Sequence, residues 1–284
     1  YDFNVSFNIE DRVYLGATLG VYDVNYDRYT SYTENLNDDN GADNGGYTLD
    51  NYYRLEGTGM DLKLGVIIRP IESSPFRLGF AVHTPTWYDL RESYNAALSS
   101  NILACEAPYN QTLSDFLVTP EYDYLTYDYN LTTPWKFNIS AGTTFAGAVA
   151  VGAEYEYQDY SSSKLKDVDG YELGDQPSVE NYLKGVHTFR IGMETRIIPE
   201  FSIRAGYNYS SAAFSKDAYS ALSLYSTRTD FNNLGYRGSV IYADLAYKYD
   251  IYKSNFYAFD DIDLPATKVD NERHQLLLTV GARF

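Results

Sequence analysis

The 284-residue sequence has a single cysteine, Cys105, so no disulfide can form within the chain. No stretch approaches the roughly 18–20 consecutive apolar residues of a membrane-spanning helix. Barrel strands escape that test, because their alternation keeps hydropathy low; the mean hydropathy here is -0.39. Basic residues are scarce, 22 Lys and Arg against 39 Asp and Glu, for a net charge of -17. Such a chain repels phosphates, which argues against a nucleic-acid partner. The three histidines, His83, His187 and His274, are scattered without metal-ligand spacing. No nucleophile, dyad or triad emerges either, so the sequence predicts no enzyme, no metal and no cofactor. No signal peptide precedes Tyr1, and a processed or truncated N-terminus is expected.

What the chain has is tyrosine, 31 residues of it, within an aromatic share of 17%. Tyr pairs an apolar body with a wet end and suits membrane interfaces; the competing reading is a soluble Tyr-rich sandwich or carbohydrate-binding domain. Alternation decides between them. In Asn271–Phe284, the residues Leu276, Leu278, Val280, Ala282 and Phe284 are apolar at every second position, with Gln275, Thr279, Gly281 and Arg283 between them. A period of two with one apolar face is a half-buried strand. The same pattern recurs in Tyr1–Ile9, Val13–Thr33, Tyr47–Arg69, Phe76–Thr84, Glu121–Thr144, Ala148–Ser163, Val186–Ile197, Phe201–Phe214, Leu224–Tyr236 and Ser239–Phe259. Short turns (Glu10–Arg12, Pro70–Pro75, Ala146–Gly147, Pro199–Glu200, Arg237–Gly238) alternate with long connections. Among the long ones are an acidic loop over Glu34–Gly46 and an irregular region over Arg91–Pro120.

Alternating polar and apolar faces, with turns short at one end and long at the other, predict an all-β fold. Its form is a transmembrane antiparallel up-and-down β-barrel of the outer-membrane type. The opposite faces carry Gly and charge too regularly for the dry core of a sandwich. Eleven strands is an odd number for a single-chain barrel, and an open edge in lipid leaves backbone groups unsatisfied. An N-terminal part of the wall is therefore expected to be missing from this sequence or supplied by another chain.

Five segments resemble the FadL/TodX family of outer-membrane transport proteins. They are Lys63–Tyr88 (KLGVIIRPIESSPFRLGFAVHTPTWY), Thr132–Phe145 (TTPWKFNISAGTTF), Val151–Leu165 (VGAEYEYQDYSSSKL), Ile241–Tyr249 (IYADLAYKY) and Arg273–Phe284 (RHQLLLTVGARF). Their order and spacing agree with the family over nearly the whole chain. The resemblance implies a barrel of fourteen strands, of which about eleven lie in this chain. Residues 1–284 would be a single barrel domain lacking the N-terminal hatch and the first three strands. It also implies the outer membrane of a Gram-negative bacterium and uptake of hydrophobic compounds such as long-chain fatty acids. Expected partners are membrane lipids and lipopolysaccharide, a hydrophobic small molecule and the barrel assembly machinery, for which Phe284 resembles the terminal assembly signal. In the alternative reading the barrel is a structural or accessory subunit of a larger assembly or secretion complex, with other outer-membrane proteins as partners.

The lumenal face should interleave Lys63, Arg69, Arg77, Lys136, Arg190, Arg196, Arg204 and Lys248 with Asp61, Glu154, Glu156, Glu194 and Asp244. Such charges fill a barrel as an ion-pair ladder; one or two of the cations could instead meet a ligand carboxylate. The candidate ligand-binding residues are His83, Trp87, Tyr88, Lys136, Arg190, Arg204 and Lys248. Pro85 and Pro134 each remove a ladder donor on consecutive strands. They mark either the point where strands leave the membrane or a local gap, rimmed by Trp87, Tyr88 and Trp135, through which a ligand could leave sideways. The acidic stretches Asn37–Gly46 and Asp167–Asp175 have oxygen-rich composition but no complete EF-hand pattern, and read as solvated loops.

Overall fold

A computed structural model describes residues 1–37, 41, 43–100, 116–118, 125–215, 218, 225–229, 233–237, 241–256 and 267–282. Cys105, Pro120, Arg283 and Phe284 lie outside the described residues. The strands are β1 (Asp2–Ile9), β2 (Val13–Asn37), β3 (Asp43–Ile68), β4 (Arg77–His83), β5 (Trp87–Ser100), β6 (Phe116–Val118), β7 (Leu125–Thr132), β8 (Lys136–Phe145), β9 (Val149–Asp159), β10 (Lys164–Asp167), β11 (Gly185–Ile198), β12 (Phe201–Ser210), β13 (Tyr225–Thr229), β14 (Asn233–Arg237), β15 (Ile241–Phe256) and β16 (Thr267–Ala282). One short helix, α1 (Gln176–Tyr182), lies between β10 and β11.

All strands join one antiparallel sheet, in which β4 and β5, β7 and β8, β9 and β10, and β13 and β14 do not pair with each other but share one wall position each. Its wall runs β1, β2, β3, then four pairs of half-strands interleaved with whole ones. β4 lies below β5, both against β3; β8 below β7; β9 below β10; then β11 and β12; β14 below β13; and finally β15 and β16. With β6 set beside β5, these make eleven wall positions among the described residues.

Local chemistry explains the tight end. Glu10 and Asp11 take φ of 51° and 54°, and Ala146 and Gly147 take 48° and 68°. Two consecutive residues at positive φ give the turn whose twist matches a hairpin. Non-glycine residues there carry strain, which a side-chain clip offsets. Asn8 Nδ2 donates to Asp11 Oδ1 at 2.6 Å, and the Asp11 amide donates to Asn8 Oδ1 at 3.1 Å.

Two long connections are shorter than the sequence suggests. Trp87–Ser100 is strand β5, paired with β3 from Met60↔Trp87 to Tyr47↔Ser100, so the irregular region does not begin at Arg91. The acidic loop shrinks too, since β2 runs to Asn37 and β3 starts at Asp43. Backbone pairing won over composition here, because each strand finds a partner already in place. The Asp167–Asp175 stretch closes a turn: Asp167 Oδ1 accepts from the Asp169 and Tyr171 amides at 3.0 and 2.8 Å. Among the described residues no group of three or more His, Cys, Asp or Glu is arranged to hold a metal ion.

The lower wall is apolar outside. Leu15, Leu19, Leu64, Phe80, Phe137, Ile139, Phe189, Ile191, Leu276 and Leu278 are all exposed large hydrophobics. Among the described residues β1 and β16 are the two edges of the sheet and do not pair with each other. Both run toward the tight-turn end, β1 into the Glu10–Asp11 turn and β16 to Ala282 opposite Ile241.

Candidate functional site

The wall breaks at one level on three consecutive positions: Thr84–Thr86 between β4 and β5, Thr133–Trp135 between β7 and β8, and Tyr160–Ser163 between β9 and β10. Proline supplies no amide donor, and hydroxyls fill in around both prolines. Thr84 Oγ1 accepts from the Leu62 amide at 3.0 Å, and Thr133 Oγ1 accepts from the Thr86 amide at 2.8 Å. The Thr84 and Thr133 amides in turn donate to the Leu62 and Thr86 carbonyls. Pro85 and Pro134 are buried in this bridged band, while Trp87 and Trp135 stand exposed on the outward face, Trp135 stacked on Phe137.

At the same level the inward face carries a buried carboxylate. Asp61 is 6% exposed; its Oδ2 accepts from Tyr22 OH at 2.9 Å and from Thr86 Oγ1 at 3.4 Å. Lys63 Nζ lies 3.7 Å from Asp61 Oδ1, 3.4 Å from Asp2 and 2.8 Å from Tyr22 OH. Gly20 is required beside it, since a Cβ there would sit 2.3 Å from Asp61 Oδ1. Lys63, His83 and Lys136 face one another across β3, β4 and β8 as one rung.

Below, the charges pair in two further groups. Arg190 binds Glu154 and, at 3.1 Å, Glu156; Lys136 lies 3.6 Å from Glu156, and Asn138 donates to both carboxylates. Arg204 reaches Glu194 at 2.7 Å and Asp244 at 3.3 Å. Lys248 lines a cavity of about 780 Å³ together with Glu194, Arg204 and Asp244. A second cavity, about 510 Å³, is floored by Gly142, Gly152, Gly192 and Gly206 on four neighbouring strands. Of the candidate residues, His83 and Lys136 meet in one rung, Arg190 joins them through Glu156, and Arg204 with Lys248 forms a separate group. Tyr88 turns inward over Gly59, while Trp87 turns outward.

Above the break the two faces exchange character without any shift in β2–β3 register below Asn35. Outward positions become Asp23, Asn25 and Asp27 on β2; Arg54, Glu56 and Thr58 on β3; Asp89 and Arg91 on β5; and Asp128 on β7. Ion pairs hold that outer surface: Arg54 to Asp27 at 2.7 Å and a two-point Arg91–Asp128 pair. The inward positions become Tyr22, Val24 and Tyr26; Tyr53 and Leu55; Tyr88, Leu90 and Tyr94; and Leu125, Tyr127, Tyr129 and Leu131. Leu90 is buried, and Gly57 and Gly59 let Leu90 and Tyr88 lie directly on β3.

Charges enter this largely apolar vestibule: Glu92 shares the inward face of β5 with Leu90 and Tyr94, and Arg28, inward on β2, lies over the Tyr53 ring at 5.5 Å. Tyr53 OH donates to Glu92 at 3.1 Å, and burial followed by that bond pushes the phenol up to about 12. Tyr47 OH donates to Glu34 at 2.5 Å and is likewise pushed up to about 12, here chiefly by the hydrogen bond. Burial raises Tyr129 as well. These phenols remain donors throughout neutral pH. The vestibule was legible in sequence only to a search that allowed the alternation to reverse phase.

No protein-family model matches the sequence, and no curated protein sequence matches it. Among solved structures, the chain is similar to the CymD monoaromatic hydrocarbon channel, with a TM-score of 0.54 at 13% identity. The likeness covers 98% of this chain and 70% of that one. At this identity it is a likeness of fold. The chain is an antiparallel β-barrel wall of the outer-membrane type.

Proposed function

We propose that this protein is an outer-membrane channel for uptake of hydrophobic compounds in a Gram-negative bacterium. The exchange of faces carries the reading: an apolar surface turned inward above the membrane has no lipid to meet and is available to a hydrophobic ligand. The fold shared with a hydrocarbon channel supports it. Below the vestibule the ligand meets the Lys63–His83–Lys136 rung and the glycine-floored cavity. Long-chain fatty acids are one class of cargo. Their carboxylates would compete with Asp61, Glu154, Glu156, Glu194 and Asp244 for the lumenal cations, so uncharged molecules suit this lining better.

Closure of the wall belongs to the same proposal. Edges in lipid must be paired, and β1 and β16 run the same way. An antiparallel closure therefore takes an odd number of further strands, which fits the three expected from the family resemblance. Strands from another chain would serve equally, which keeps the accessory-subunit reading; a fixed protein partner in native mass spectrometry would favour it. The channel reading is tested by uptake of radiolabelled toluene and oleate into cells carrying the protein or its Tyr94→Asp/Tyr127→Asp variant. Both tyrosines are exposed on the vestibule face, so the variant should assemble. Toluene uptake above background that the variant loses supports the proposal; uptake equal to cells without the protein overturns it.

A further inference from the structure

The outward face of the β2–β3–β5 extension carries two aromatic rings where no lipid chain can reach. Tyr29 and Tyr52 stand directly opposite each other, ring centroids 4.7 Å apart, and are 55% and 44% exposed. Tyr29 OH donates to Asp50 at 2.7 Å, which fixes the ring. Below them on the same face lie Asp27 and Arg54, paired at 2.7 Å. Tyr52 is eight residues above Met60, where the apolar belt ends. At about 3.3 Å per residue and a tilt near 40°, that is on the order of 20 Å along the membrane normal.

We propose that this platform docks the saccharide of the surrounding lipopolysaccharide, an inference that rests on the outer-membrane reading. The face is continuous with the lipid-facing belt, so what stands against it at that height is the sugar portion of the same lipid. Its chemistry fits a sugar: exposed rings accept the C–H face, and carboxylate oxygens accept from the hydroxyl edge. Its charge selects uncharged sugar rings over lipid phosphates. On this outward face Asp23, Asp27, Asp50, Glu56, Asp89 and Asp128 outnumber Arg54 and Arg91; Arg54 already contacts Asp27 and Glu56, and Arg91 pairs with Asp128. The tyrosines of the inner face line the vestibule and cannot serve this role.

The test uses the purified protein in detergent, titrated by calorimetry with core oligosaccharide freed of lipid A by mild acid. EDTA is present throughout, with a parallel titration in calcium. Saturable binding in EDTA that weakens at least tenfold in Tyr29→Ser/Tyr52→Ser supports the platform, provided the heat-modifiable folded band and toluene uptake are unchanged. No binding, equal binding by the variant, or binding seen only with calcium overturns it; the last would mean phosphate bridging by the cation. A dimer in native mass spectrometry that the variant abolishes would also overturn it, by assigning the face to a second copy. Loss of the sugar result with toluene uptake intact leaves the channel reading standing.

Discussion

Removing one oxygen from Thr84 or Thr133 tests how the wall survives its prolines. Thr→Val keeps the branched shape and deletes the hydroxyl. In Thr133→Val the Thr86 amide loses its 2.8 Å acceptor; in Thr84→Val the Leu62 amide loses its 3.0 Å acceptor. An amide left without a partner away from water costs about 1–3 kcal/mol, and the lipid-embedded wall holds the value toward the upper end. Each variant should therefore unfold with an equilibrium shifted on the order of 5- to 150-fold, at about 1.4 kcal/mol per tenfold. Urea titration of vesicle-refolded protein, followed by the heat-modifiable band, reads this as a lower midpoint at unchanged slope. Thr133→Ser and Thr84→Ser keep the acceptor and should stay near the parent. Val variants that unfold at the parental midpoint would refute the hydroxyl bridge.

Other consequences can be measured alongside. Arg190→Met should cost about 1–3 kcal/mol in the same titration, less than the 3–5 of a fully buried pair because the guanidinium side chain is 42% exposed. Arg190→Lys should recover part of that loss. Gly59→Ala places a Cβ 2.3 Å from the Tyr88 ring, so Tyr88 must leave β3, and toluene uptake should fall while the wall still assembles. Replacing both Pro85 and Pro134 by Val restores two ladder donors; uptake should fall if ligand leaves sideways at this level, and unchanged uptake removes that exit. Glu180 is held below the usual carboxylate range, first by the hydrogen bond from Lys164 and then by that from Gln176. Its contribution is present above the unfolded carboxylate value and fades as pH falls through the depressed one. Amide exchange in α1, corrected for intrinsic rates, should therefore accelerate on acidification, and Glu180→Gln should remove that dependence.

The lower wall was legible because its alternation has one phase: apolar residues such as Leu62, Leu64 and Phe80 all turn toward lipid. The pairing of Lys63, His83 and Lys136 was not, since register across three strands is set by turns and hydrogen bonds rather than by any one segment. Asp61 was visible only as one more lumenal charge; its burial depends on Tyr22, Thr86 and Gly20 from other stretches. β5 escaped for a different reason. Tyr88, Leu90, Tyr94, Ala96 and Leu98 alternate with Asp89, Arg91, Ser93 and Asn95, but with the apolar side inward and with Glu92 interrupting it, so the segment does not read as a lipid-facing strand.

That reversal within β2 and β3 has a bearing on how their pairing is protected. A one-residue slip of a strand carries every side chain to the opposite face. In an ordinary barrel strand the error is penalised once, by polar groups entering lipid. Here the same slip would also turn Tyr22, Tyr26, Tyr53 and Leu55 out of the vestibule and fold Asp27, Arg54 and Glu56 into it. The two halves of the hairpin thus proofread each other. A single-residue deletion at Met60 should defeat both checks at once, making β3 amphipathic in one sense along its whole length and extending its greasy side beyond the bilayer.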